Sequence, residues 1–166
     1  DQIFSDELNH ASIIDGCRLS RATVQVFRHR NLNDLEALLA RSDARRKVIV
    51  SESIFSMDGD RAELVGLQEI AVRAGAILVV DEAHGAGVVG EEGRGLASQL
   101  GVKPDVVMAT LGKALGVYGA VVAGSRALAD VLWNRARSLV FTTGMPPAIA
   151  AAASAFFRLG GGGEGC

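Results

Sequence analysis

Lysine is scarce in this sequence: among 166 residues only Lys47, Lys103 and Lys113 carry an amine side chain. Any lysine chemistry falls to one of them. Cysteine is scarcer, and Cys17 and Cys166 make neither a disulfide framework nor a metal-ligand pattern. A surplus of positive charge is also absent. The formal net charge of -2 leaves no electrostatic footprint for nucleic acid or an anionic membrane. The cluster Arg45-Arg46-Lys47 is too short to supply one and is expected to cap a helix. No apolar run reaches the length of a membrane span, and the chain opens on Asp1 without the charged and apolar prefix of a signal peptide. A soluble cytoplasmic protein is the expectation. The missing initiator methionine and the run from Gly160 to Gly163 are expected of a piece of a longer chain.

What is present fits a folded domain. Apolar residues make up 49% of the chain and charged residues 22%, and a chain of this length buries roughly 70% of the surface its unfolded form exposes. Apolar runs of strand length alternate with helical periodicity, which predicts an α/β fold with a mostly parallel sheet covered by helices. The expected strands are Thr23 to Phe27, Val48 to Ser51, Ile77 to Val80, Val106 to Ala109 and Ala120 to Ala123. They are rich in Val and Ile with little polar alternation, as buried parallel strands are. Leucines and valines recur at helical intervals over Leu32 to Leu39, Leu64 to Val72 and Leu128 to Leu132. Asn31 and Ser125 stand where helices should start, and Pro146-Pro147 opens an alanine-rich helix that runs to Leu159. Residues 1–159 are read as one unit, followed by a glycine-rich tail over 160–166.

Three motifs suggest chemistry. Gly85-Ala86-Gly87-Val88-Val89-Gly90 matches a dinucleotide fingerprint, but Asp81 to His84 intervene after the strand and Glu91-Glu92 follow where a pyrophosphate would want no negative charge. Asp81-Glu82-Ala83-His84 resembles the magnesium box of a helicase, yet no G-K-[ST] phosphate loop lies upstream. The third motif is Thr110-Leu111-Gly112-Lys113-Ala114-Leu115-Gly116, just after a buried strand. Lys113 alone among the lysines is flanked by small residues that would let a planar ligand approach the backbone, and a desolvated amine is the kind that forms imines. Asp81 ends another strand, so its carboxylate should emerge at the same carboxyl edge of the sheet. It could pair with a pyridine nitrogen there or simply cap the following turn.

Together these stretches resemble the α-oxoamine synthases, which are fold-type-I pyridoxal-phosphate enzymes. The resemblance rests on Ser5 to Gly16, Phe55-Ser56-Met57-Asp58-Gly59-Asp60, Asp81 to Gly85, Gly93-Arg94-Gly95 and Thr110 to Gly116, in matching order. It implies the large domain of such a transferase, in part, with pyridoxal 5'-phosphate as cofactor. By the same resemblance Lys113 would hold the cofactor as an imine, Asp81 would pair with the ring nitrogen, and His84 and Ser56 would approach the ring hydroxyl. His10 would stack on the ring, and Thr110 would bind the phosphate. Thr142 or Thr143 would reach the phosphate of a neighbouring subunit, which implies a homodimer with a shared active site. Lys113, His10 and Asp81 are the expected catalytic residues, with no metal.

The implied partners are an amino acid and an acyl thioester of coenzyme A or acyl carrier protein, with no nucleic acid and no membrane. The segments at Met57 to Asp60 and Phe141 to Pro147 point to the branch of the family that joins L-alanine to pimeloyl thioester. Glycine with acetyl thioester is the alternative, and a noncatalytic or nucleotide-binding α/β piece is the alternative of another class. Structural roles stay open for several residues: His10 could cap the next helix, Thr110 could bond its own backbone, and Ser56 could close a turn with Asp58. Ser53 stands where the family often has glycine. His29 matches nothing and is expected on the surface.

Overall fold

Short runs of Val, Ile and Phe build six strands in the computed structural model, which describes residues 1–160. They are β1 (Gln2–Asp6), β2 (Thr23–Phe27), β3 (Lys47–Glu52), β4 (Ile77–Asp81), β5 (Val106–Thr110) and β6 (Ala120–Gly124). The sheet order is β2-β1-β3-β4-β5-β6. β1 to β5 run parallel, whereas β6 is antiparallel to β5. The helices are α1 (Ala11–Leu19), α2 (Leu32–Ala40), α3 (Leu64–Ala74), α4 (Leu96–Gln99), α5 (Arg126–Arg135), α6 (Arg137–Val140) and α7 (Pro147–Gly160). The class is α/β with a mostly parallel sheet, as the alternation predicts.

Alternation along the strands sends Phe4, Phe27, Ile49, Leu78 and Val80 to one face, where they meet Leu35 and Leu39 of α2, Leu64, Leu67 and Ile70 of α3, and Leu96 of α4. This is the core. On the opposite face α1 brings Ile14 and Cys17 against Ser5, Val24 and Val26, a thinner cover that leaves Val26 59% exposed. Both expected helix starts are capped: Asn31 accepts from the Asp34 amide at 3.0 Å and Ser125 from the Leu128 amide at 3.2 Å.

Three expectations need correction. β1 is a strand that the apolar pattern did not single out, because Gln2, Ser5 and Asp6 interrupt its short run. Ala120 to Ala123 forms a strand, but an exposed antiparallel one rather than a buried parallel one. The link from β5 spans only residues 111–119, shorter than the dozen or so that a parallel crossover needs. The cluster Arg45-Arg46-Lys47 caps no helix: Arg46 grips the Asp1 carboxylate with two bonds of 2.8 Å, and Lys47 begins β3. No helix among the described residues is long and apolar enough to cross a membrane. Gly160 closes α7, and the remainder of the glycine-rich tail lies outside the described residues.

Candidate active site

Strand order reverses between β1 and β3, so a crevice opens at their carboxyl ends, the place where open α/β sheets bind ligands. The loop leaving β1 is pinned to β3 there. The Asn9 amide donates to Val50 O and to Ser5 Oγ, each at 2.9 Å, and its oxygen accepts from the Glu52 amide at 3.0 Å. The backbone N–H of His10 then donates to Glu52 Oε1 at 2.6 Å. The His10 ring caps α1, with Nδ1 accepting from the Ser12 amide at 3.2 Å, while the residue as a whole stays exposed. The capping role and an open ring face coexist.

Glu52 and Asp81 are register partners on adjacent strands, so their carboxylates share one face of the sheet. Both are buried. Burial raises the pKa of Glu52, the His10 N–H bond opposes that rise, and the neighbouring Asp81 adds to it. Burial likewise raises Asp81, against the bond from the Ala83 amide and the positive charge of Lys113. Asp81 Oδ1 accepts that Ala83 amide at 2.8 Å, which is the turn-capping role; its other oxygen has no partner among the described residues. Glu52 was missed in the sequence. A carboxylate ending a buried strand in step with Asp81 was the available signal.

Lys113 projects from the loop 111–119, whose buried Leu111 and Leu115 anchor it and whose ends meet through Leu111 N to Gly119 O at 2.8 Å. Its Nζ lies 2.8 Å from His84 Nε2. Burial and the Lys113 charge lower the His84 pKa, so a neutral imidazole accepts from the ammonium. Thr110, at the base of this loop, donates to Gly119 O and accepts from the Gly112 amide, both at 3.3 Å. Ser56 sits on an exposed turn that is closed by Phe55 N to Asp60 O at 3.0 Å, with no bond to Asp58. Thr142 and Thr143 are exposed between α6 and α7. The structure thus brings Lys113, His84, Asp81 and His10 into one electrostatic neighbourhood and sets Ser56, Thr142 and Thr143 outside its direct contacts.

The two competing motifs acquire packing explanations. Glu82 is buried and accepts from Ser53 Oγ at 2.7 Å, the Leu96 amide at 3.1 Å and the Ala97 amide at 2.7 Å, so it is committed to the start of α4. That arrangement gives Ser53 its role and commits Glu82 to packing. A Cβ on Gly85 would lie 1.9 Å from Glu82 Oε2, and one on Gly87 would lie 2.9 Å from Ala114 Cβ in the lysine loop. A short 3-10 turn, Glu91–Gly93, follows instead of the helix a dinucleotide site requires. His29, expected on the surface, is wedged between Asp6 and Asp60.

The aminotransferase class I and II family matches residues 1–159. The chain is 57% identical over 157 residues to an 8-amino-7-oxononanoate synthase of Anaeromyxobacter sp. (strain K), covering 93% of this chain and 39% of that protein. An 8-amino-7-oxononanoate synthase of Geobacter sulfurreducens is 52% identical over 162 residues, covering 96% of this chain and 41% of that protein. The chain therefore spans about two fifths of the length of these curated relatives. Among solved structures, a serine palmitoyltransferase from S. paucimobilis with bound PLP-myriocin aldimine superposes with a TM-score of 0.92 at 32% identity, over 96% of this chain and 42% of that one. An 8-amino-7-oxononanoate synthase from Francisella tularensis superposes with a TM-score of 0.81 at 36% identity, over 96% of this chain and 47% of that one.

Proposed function

The chain belongs to the class I and II aminotransferase family, and on that premise we propose that residues 1–159 are the central part of the cofactor-binding domain of an α-oxoamine synthase, a pyridoxal-phosphate-dependent C-acyltransferase. The finer reading is condensation of L-alanine with pimeloyl thioester, with loss of carbon dioxide, to give 8-amino-7-oxononanoate in biotin synthesis. Relatives of that name support it. The observation that carries the reading is the Lys113 amine on the His84 ring, within the field of Asp81.

The donor set suits the cofactor. A protonated pyridine nitrogen needs an anionic acceptor, and Asp81 offers a buried carboxylate with one oxygen fixed by Ala83 and the other unpartnered among the described residues. When bound, pyridoxal 5'-phosphate supplies an electron sink for the carbanion at the amino-acid α-carbon. The chain does the rest. Lys113 would hold the cofactor between turnovers, and its freed amine would serve as general base on the amino-acid α-proton. His84, neutral beside that amine, offers Nε2 as an acceptor, and with Ser56 it would bond the ring hydroxyl. His10 would stack its open ring on the cofactor, and Thr110 would bind the phosphate. Thr142 or Thr143 would reach the phosphate of the second subunit in a homodimer.

The test uses the complete protein with pyridoxal 5'-phosphate. Turnover of L-alanine with pimeloyl thioester should exceed that of glycine with acetyl thioester, and Lys113→Ala should abolish the visible imine absorbance. Faster turnover of glycine would assign the protein to the glycine C-acetyltransferase branch. An absorbance that survives loss of Lys113 would remove the lysine from the site.

A further inference from the structure

His29 joins the exit of β1 to the turn that follows β3. Its Nδ1 lies 2.8 Å from Asp6 Oδ1 and its Nε2 lies 2.7 Å from Asp60 Oδ2. Ionised carboxylate oxygens only accept, so each ring nitrogen must donate and the ring carries both protons. The ring also stands edge-on to Phe55, with centroids 4.4 Å apart at 89°. Two carboxylates grip this imidazole from opposite sides, and its side chain is only 21% exposed.

Each carboxylate belongs to a loop of the candidate site. Asp6 ends β1, accepts from the Leu8 amide at 2.9 Å and from the Arg30 amide at 3.0 Å, and receives the Asn9 amide on its carbonyl at 3.2 Å, one residue before His10. Asp60 closes the turn over Ser56, because its carbonyl accepts the Phe55 amide at 3.0 Å. Asp60 Oδ1 is buried and has no partner among the described residues, so attachment of this side chain there falls on Oδ2. His29 holds Oδ2 at 2.7 Å, whereas its other polar partner among the described residues is the more exposed Arg30 at 3.4 Å. Further charged groups at the clamp are Glu7, which accepts the His29 amide, Glu63, which pairs with Arg30, and the adjacent Arg28, which pairs with Asp34.

We propose that His29 is a positioning residue of the cofactor site, clamping the turn that presents Ser56 to the β1 exit that presents His10. The proposal rests on the pyridoxal-phosphate reading of the site for its function, but the clamp itself is testable without cofactor. Asn carries its amide nitrogen near the place of Nδ1 and Gln carries it near Nε2. His29→Asn therefore keeps the Asp6 link and loses Asp60, and His29→Gln does the reverse.

Amide hydrogen exchange on the cofactor-free complete protein should show faster exchange at Phe55 and Gly59 in His29→Asn, and at Leu8 and Asn9 in His29→Gln. Amides of α3 and β4 should be unchanged in both. Pyridoxal 5'-phosphate should bind His29→Asn roughly tenfold more weakly or worse, the scale of one charge-assisted hydrogen bond. That loss should shrink in a Ser56→Ala background, since a turn without its hydroxyl has nothing to present. Exchange like wild type in both variants overturns the clamp. Faster exchange with wild-type cofactor affinity, or equal losses with and without Ser56, overturns the positioning role. Wild-type protein that binds no cofactor through Lys113 would instead sink the reading of the site, while the exchange data would still decide whether the clamp exists.

Discussion

Asp81 carries two duties on two oxygens, and a single substitution separates them. Asparagine keeps an oxygen for the Ala83 amide, so Asp81→Asn should melt within a few degrees of wild type. It loses the charge facing the proposed ring nitrogen. Breaking a buried charge pair costs about 3 to 5 kcal/mol, which is roughly a hundredfold to several thousandfold in rate. Turnover of the complete protein within tenfold of wild type would exclude Asp81 from the mechanism. Its neighbour Glu82 faces the opposite demand, because it is structural and crowded. The carboxylate that a Gly85 Cβ would strike is pinned by three donors, so it cannot swing aside without abandoning them. Gly85→Ala should cost about 3 kcal/mol, combining overpacking with lost charge-assisted bonds, read as a shift of the urea midpoint. Gly16→Ala, inside α1 with a Cβ that would meet nothing within 4 Å, should instead raise the midpoint, by about 0.5 to 1 kcal/mol of stability.

At the scale of elements, the β1 exit, β2 exit and Phe55 turn share one titrating contact. Burial alone would lower the His29 pKa, but the bonds and charges of Asp6 and Asp60 outweigh it and raise the value above the ordinary 6.5. A histidine with a raised folded pKa stabilises fully below its unfolded value and loses that contribution as pH climbs through the folded one. Stability by urea unfolding should therefore decline as pH rises above about 6.5, and His29→Asn should flatten that decline. A wild-type profile unchanged by the substitution would show that the ring does not titrate in the clamp.

The sequence carried the central elements well, since β2 to β5 and α2, α3 and α5 are periodic and two have capping side chains. It hid β1, whose five residues mix polar and apolar in no clear period. It also hid His29 and Glu52, because their partners lie 23, 31 and 42 residues away and no local motif marks the pairing. The neighbourhood of Lys113, Asp81 and His84 was legible through the strand ends that carry it. Ser53 was legible only as an oddity until Glu82 appeared beside it.

Across the whole molecule, burial is divided unevenly along the chain. Among the described residues, the hydrophobic core draws its members from Phe4 through Val102. Ala109, Leu111 and Leu115 are buried after it, but β6 is exposed along its length and α5 and α6 bury no residue fully. Tyr118, Val122, Val131, Trp133 and Phe141 are each more than half exposed, a concentration of apolar surface over a short stretch. Local opening costs least where few apolar contacts must be broken, so stability should fall along the chain in the same order. Native-state amide exchange on the 166-residue chain should show the deepest protection in β3, β4 and α3 and much weaker protection in β6, α5 and α6. In the complete protein, further chain or a second subunit against this surface should raise protection there while leaving β3 and β4 as they were. Equal protection of α5 and α3 in the 166-residue chain would show that the last third is held by contacts other than the core described here.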